Sequence, residues 1–126
     1  MFTKYRNPNV GLLLIRVGIA LVFIVHGISK LSNIDGTIAF FGSLGLGVFF
    51  AYLVAVVELL AGISMLLGFW VEASGIALAI IMVIAIFTVK LKVGFLGGYE
   101  LDLPLLLSAL GIAFAGPGKY AIEKRG

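Results

Sequence analysis

The sequence predicts an all-α integral membrane protein: a bundle of four transmembrane helices with a short interfacial segment between helices 1 and 2. Three observations carry this. Of 126 residues, 62% are hydrophobic and 12% charged, whereas a soluble domain carries about 25% charged residues. The mean hydropathy is +1.22. The apolar residues fall into four runs, at about 10–31, 48–69, 73–92 and 101–116, each near the roughly 20 residues that a bilayer core about 30 Å thick asks of a helix. Four such helices and their connections use up residues 1–126, leaving a single transmembrane domain.

The first run opens at "MFTKYRNPNVGLLLIRVGIALVFI". It has the basic start and apolar core of a signal peptide, but Arg16 interrupts the core and no small-x-small cleavage site follows, so it is read as a retained helix. The next segment, "SNIDGTIAFFGSLGLG" (32–47), suits a short interfacial helix capped by Asp35 and carrying Ile38, Phe40, Phe41 and Leu44. Around "GFWVEASG" the second and third runs join in a tight hairpin with Trp70 at the membrane interface. The third connection, "KLKVGFLGGYELD", is glycine-rich and polar, and Pro104 follows in the first turn of the last run. Lys4, Arg6, Lys119, Lys124 and Arg125 lie on the side of the termini, against Lys30, Lys90 and Lys92 in the first and third connections. The excess of basic residues places both termini in the cytoplasm.

Composition excludes several chemistries. With no cysteine and one histidine, the chain cannot supply a disulfide, a thiolate nucleophile, an iron–sulfur cluster, a thiolate metal site or bis-histidine haem ligation by itself. No haem, cluster or metal is therefore expected on this chain alone. The formal charge of +3 fits contact with anionic lipid and calls for no nucleic acid.

The charges inside the apolar runs carry the functional signal. At 100° per residue, Lys30 and His26 fall within about a quarter of the wheel from Arg16, while Gly11 and Gly18 sit almost opposite. Such a polar stripe is expected to face the bundle interior. The second run answers with Glu58 near its middle, among Ala51, Ala55, Ala61, Gly62 and Met65. By rise per residue, Arg16 and His26 lie roughly 6–8 Å from the Glu58 level, on opposite sides. The expected pairing is Arg16 with Glu58, with His26 and Lys30 building a polar pocket toward the outer leaflet. Lys90, Lys92, Glu100, Asp102 and Asp35 gather at that same end. Simpler roles exist for each: lysines at helix ends snorkel to headgroups, and Glu100 and Asp102 suit a first helical turn. Their convergence on one face and one end favours a buried site.

These residues resemble the DoxX family. "RVGIALVFIVHGISKL" is similar to the family's arginine, histidine-glycine and lysine pattern in helix 1, and "VAVVELLAGISMLLG" to its second-helix glutamate. "AIFTV", "GGYELDLPLLL" and "GPGKYAIE" resemble the third helix, final loop and closing motif, in the same order. Lys90 stands where a histidine is common, and Glu72 where a basic residue is common. The resemblance implies a four-helix inner-membrane protein, in some relatives linked to quinone-dependent or stress-related redox complexes.

The function expected is thus the membrane subunit of a quinone-linked redox system. His26 and Glu58 are the candidate catalytic groups, and Arg16, Lys30, Lys90, Glu100 and Asp102 the candidate ligand-binding groups. A quinone is the expected cofactor, and membrane lipids, a redox partner protein and further copies of the chain the expected partners. Two alternatives stay open: a proton-relay or small-solute transport subunit, and a non-catalytic assembly factor.

Overall fold

The computed structural model describes residues 6–122. Lys4, Lys124 and Arg125, on which the orientation partly rests, lie outside the described residues. Every regular element is helical, and no strand forms among the described residues. Helix α1 (Pro8–Ser32) starts with Pro8 at its first position and with Asn7 accepting a hydrogen bond from the Val10 amide at 3.2 Å, the usual N-terminal pairing of a fixed φ with a side-chain cap. Asn33 breaks the helix, and α2 (Ile34–Ser43) follows at once. Helix α3 (Val48–Leu67) ends at Gly68, whose left-handed φ of 76° lets the chain reverse. Helix α4 starts at Val71 and stays continuous to Val93. Its stretch Ile86–Lys90 is wound as a π helix. A kinked, glycine-rich connection over 95–99, with Leu96 extended (ψ 121°) and Gly97 at a left-handed φ of 73°, leads to α5 (Asp102–Ala115), with Pro104 in its first turn.

Three of these helices, α1, α3 and α4, are long and apolar enough to cross a membrane, and α5 is a shorter apolar helix of 14 residues. The outward faces are largely apolar: Leu14, Leu60, Phe87 and Phe114 are exposed, the last at 91%. Surfaces so apolar require lipid around them. Trp70, the first residue after the hairpin turn, is exposed and stacks on Phe69 with ring centroids 4.9 Å apart. This fits an aromatic residue at the headgroup level.

The bundle is built of two helix pairs. α1 packs most extensively on α3, and α4 on α5; α3 and α4 join them through the hairpin. In lipid, burying apolar surface gives little drive to association, so close backbone approach and dispersion must hold the pairs. Small residues provide that approach. A Cβ on Gly27 would lie 2.9 Å from the Leu59 backbone nitrogen, and one on Gly62 would lie 3.1 Å from the Ile24 nitrogen. Between α4 and α5, a Cβ on Gly75 would lie 2.6 Å from the Ala109 carbonyl. The core between the pairs includes Ile19, Phe23, Met65, Leu78, Met82, Ala109 and Ile112.

Candidate functional site

The face of α3 that carries Glu58 is the buried one. Ala51, Ala55, Ala61, Gly62 and Met65 are buried together with it, and Glu58 itself is only 2% exposed. Its partner is Lys30, not Arg16. Lys30 Nζ donates to both Glu58 oxygens, at 2.8 and 3.0 Å. The contacts of Gly27 with Leu59 and of Gly62 with Ile24 fix the antiparallel register. That register sets Arg16 about 12 residues along α1 from the Glu58 level, roughly 18 Å at about 1.5 Å per residue. The two side chains together cannot span that distance. Lys30, near the end of α1, can fold back to reach the carboxylate.

Arg16 is fully buried and does something else. Its Nη1 donates to the Met65 carbonyl at 3.2 Å, and its Nη2 donates to the carbonyl of Tyr120 in the C-terminal segment. The expected pairing of Arg16 with Glu58 is therefore replaced by contacts with backbone carbonyls.

Lys30 also lines a groove of about 310 Å³, together with Ser29, Asn33, Gly36, Thr37, Phe40 and Phe41. It sits at the corner where α1 gives way to α2. Thr37 Oγ1 lies within hydrogen-bonding distance of the Lys30 and Asn33 carbonyls, at 3.1 and 3.0 Å, and so stitches the corner. The Lys30 side chain is 26% exposed. An ammonium has three N–H donors, so one remains after Glu58 has taken two. Sequence reasoning gave α2 an interfacial role and did not assign Ser29, Asn33 and Thr37 to a site. The available signal was the polar break "SNID" in an otherwise apolar run.

His26 is exposed on the outside of α1, with no hydrogen bond or ion pair among the described residues. The expectation that it faces the bundle interior is thus corrected. Some 80° round the wheel from Arg16, it lies beyond the arc that packs on α3. Its neighbours one turn on are Ser29 and Lys30, and side chains three and four apart on a helix stand about 5–6 Å apart at Cβ. His26 therefore extends the polar flank of the groove toward lipid.

The far-end cluster of charges also resolves differently. Lys90, at the end of the π-helical stretch, lies 3.8 Å from Asp102 Oδ2. That oxygen is buried and accepts no hydrogen bond. Glu100 is exposed and accepts from the Gly97 amide at 3.0 Å, so it caps its own loop. Asp35 and Lys92 are exposed. Instead of one network of lysines and carboxylates at this end, Lys30–Glu58 and Lys90–Asp102 are, among the described residues, separate ion pairs, each closed within its own helix pair. Asp35 lies in the first turn of α2 and Asn33 holds the cap position. Thr88, within the π stretch, has its hydroxyl donating to the Ile84 carbonyl at 2.6 Å, a back-bond of the kind that bends helices. No group of three His, Cys, Asp or Glu side chains that could hold a metal ion occurs among the described residues.

Several apolar helices, a buried glutamate paired with a half-buried lysine, and a groove beside that lysine define a small multi-helix membrane protein with an ionisable site. The family model for DoxX matches residues 11–91, and the chain belongs to that family. It is 41% identical over 118 residues to the Bacillus subtilis (strain 168) protein named "Putative oxidoreductase CatD", covering 94% of this chain and 88% of that one. It is 34% identical over 127 residues to the membrane protein Rv3486 of Mycobacterium tuberculosis, covering 88% of this chain and 78% of that one. No solved structure matches the chain.

Proposed function

We propose that this protein is the membrane subunit of a quinone-linked redox system, with the quinone headgroup seated in the groove beside Lys30. The observation that carries the reading is Lys30, held by a buried carboxylate yet open to a groove with two phenylalanines in its wall. A quinone carbonyl accepts hydrogen bonds and needs a donor, which the remaining N–H of Lys30 supplies. The volume of about 310 Å³ lies at the low end of the roughly 300–1,000 Å³ of small-molecule sites, which fits a headgroup whose tail stays in lipid. Phe40 and Phe41 offer ring faces and edges to the headgroup.

Reducing a quinone to its hydroquinone takes two electrons and two protons. A partner protein carrying the other redox centre provides the electrons, in keeping with the absence of cysteine from the chain. The Lys30 ammonium gives a proton to the reduced carbonyl oxygen, and the amine so formed regains one from Glu58 once that carboxylate has itself taken up a proton. His26, on the same flank, is the second donor at the lipid-facing edge. The name of the B. subtilis relative supports an oxidoreductase role.

The same reading has α5 as the fourth span. It packs along α4 from the Lys90–Asp102 pair back to Gly75, close to the start of α4. The chain beyond it reaches the level of Leu67 and Asn9, so the two ends of the described chain share a side, which the proposal takes as the cytoplasmic side of a cell inner membrane from the excess of basic residues. A proton-relay subunit is the second reading, favoured by the unbonded Asp102 oxygen beside Lys90. Proton flux in sealed vesicles without electron transfer would select it.

The test is mass spectrometry of small molecules that co-purify in mild detergent with wild type, Lys30→Met and Glu58→Gln. The quinone reading requires a quinone near stoichiometric amounts in wild type and its loss in both variants. Wild type free of quinone, purified from quinone-rich cells, refutes it.

A further inference from the structure

Arg16 is the largest fully buried side chain among the described residues, and a guanidinium so placed normally meets a carboxylate. Here its acceptors are two main-chain carbonyls, one from the last turn of α3 and one from the segment that follows α5. The last four carbonyls of a helix lack intrahelical donors. Those of α3 include Met65, bonded by Arg16, and Leu67, bonded at 2.9 Å by the amide of Ile122. A cation at a helix C-terminus also complements the helix dipole. A fourth bond runs from the Lys119 amide to Asn9 Oδ1 at 2.9 Å.

The placement of these bonds is asymmetric. Of these four bonds, Arg16–Met65 lies within the α1–α3 pair, while Arg16–Tyr120, Ile122–Leu67 and Lys119–Asn9 join the C-terminal segment, which continues the α4–α5 pair, to the α1–α3 pair. At the opposite end, Lys30–Glu58 closes within the first pair and Lys90–Asp102 within the second. The hairpin is shaped around the fastening: a Cβ on Gly68 would collide with the Arg16 guanidinium and with Ala121. Gly118 passes close to Leu12, where a Cβ would lie 3.2 Å from its side chain.

We propose that Arg16 is a clasp that fastens residues 116–122 across the end of the α1–α3 pair and so locks the α4–α5 pair onto it. It is not part of the ligand site. The assignment is independent of the quinone reading, because the groove and the clasp share no residue.

Hydrogen exchange of the full-length protein in nanodiscs, with Arg16→Gln beside wild type, tests this. Exchange in 118–122 is expected to rise about tenfold or more, as fits the loss of a charge-assisted hydrogen bond, and trypsin to cut faster after Lys119. Exchange over 29–41 is expected to stay unchanged, and Arg16→Lys to restore part of the protection. Wild-type exchange in 118–122 of a folded Arg16→Gln protein overturns the proposal. If Arg16→Gln does not fold, Arg16→Lys decides, since an ammonium cannot reproduce the guanidinium fork that holds both carbonyls. Faster exchange of 118–122 in Arg16→Lys supports the clasp, and wild-type exchange there overturns it.

Discussion

Removing Lys30 is the sharpest perturbation of the site. Glu58 is nearly completely buried, and Lys30 is the donor to both of its oxygens. Lys30→Met keeps an unbranched apolar stem of similar length and leaves the carboxylate without a partner. Breaking a buried pair from one side costs about 3–5 kcal/mol. Because the Lys30 side chain is 26% exposed, solvent screens part of the interaction, and we expect about 2–3 kcal/mol. Glu58→Gln leaves a neutral amide in reach of an ammonium that can turn toward the groove, and should cost less, about 1–2 kcal/mol. Lys30→Met combined with Glu58→Leu removes both charges and should lie within about 1 kcal/mol of wild type. Wild type, Lys30→Met, Glu58→Leu and their combination form a double-mutant cycle when unfolding in mixed micelles is followed by helical circular dichroism. A single Lys30→Met costing under about 0.5 kcal/mol, or a double variant as unstable as the sum of its singles, would refute the buried pair.

Other expectations concern packing. Gly75→Ala forces a Cβ against the Ala109 carbonyl at 2.6 Å and should destabilise by about 1–3 kcal/mol. Gly18→Ala, with nothing within 4 Å, should be neutral or slightly stabilising in the same unfolding assay. Gly62→Val should loosen the α1–α3 pair, read as faster amide exchange in Ala20–Ile24, because its Cβ would press on Ile24. Thr88→Val removes the bond to the Ile84 carbonyl and should favour regular α-helical bonding over 84–90, measurable as slower exchange there. Unchanged exchange would separate the π stretch from Thr88.

Much of the helical layout was legible in the residues, because the apolar runs, the "GFWVEASG" hairpin and Pro104 mark helix ends directly. The expected run 48–69 is α3 at Val48–Leu67, and 73–92 lies within Val71–Val93. The small-residue face around Glu58 was legible for the same reason: helical periodicity alone places Ala51, Ala55, Ala61 and Gly62 beside it. The pairing of charges was not. Which cation meets Glu58 depends on the register between α1 and α3, which interlocking at Gly27 and Gly62 sets and which no single helix reveals. The bond from Arg16 to Tyr120 was hidden for a different reason, since its acceptor is a backbone carbonyl that any residue type would present. His26 shows the limit of the wheel: an angle of 80° lies at the edge of a buried arc, and only the neighbouring helices decide which way it falls.

The most direct test of the central claim is photolabelling of the protein in nanodiscs with a photoactivatable quinone, followed by peptide mapping. The account predicts adducts between His26 and Phe41 that excess unlabelled quinone removes and that Lys30→Met abolishes. Labelling spread over the apolar faces, or confined to another helix and indifferent to competition, would contradict it.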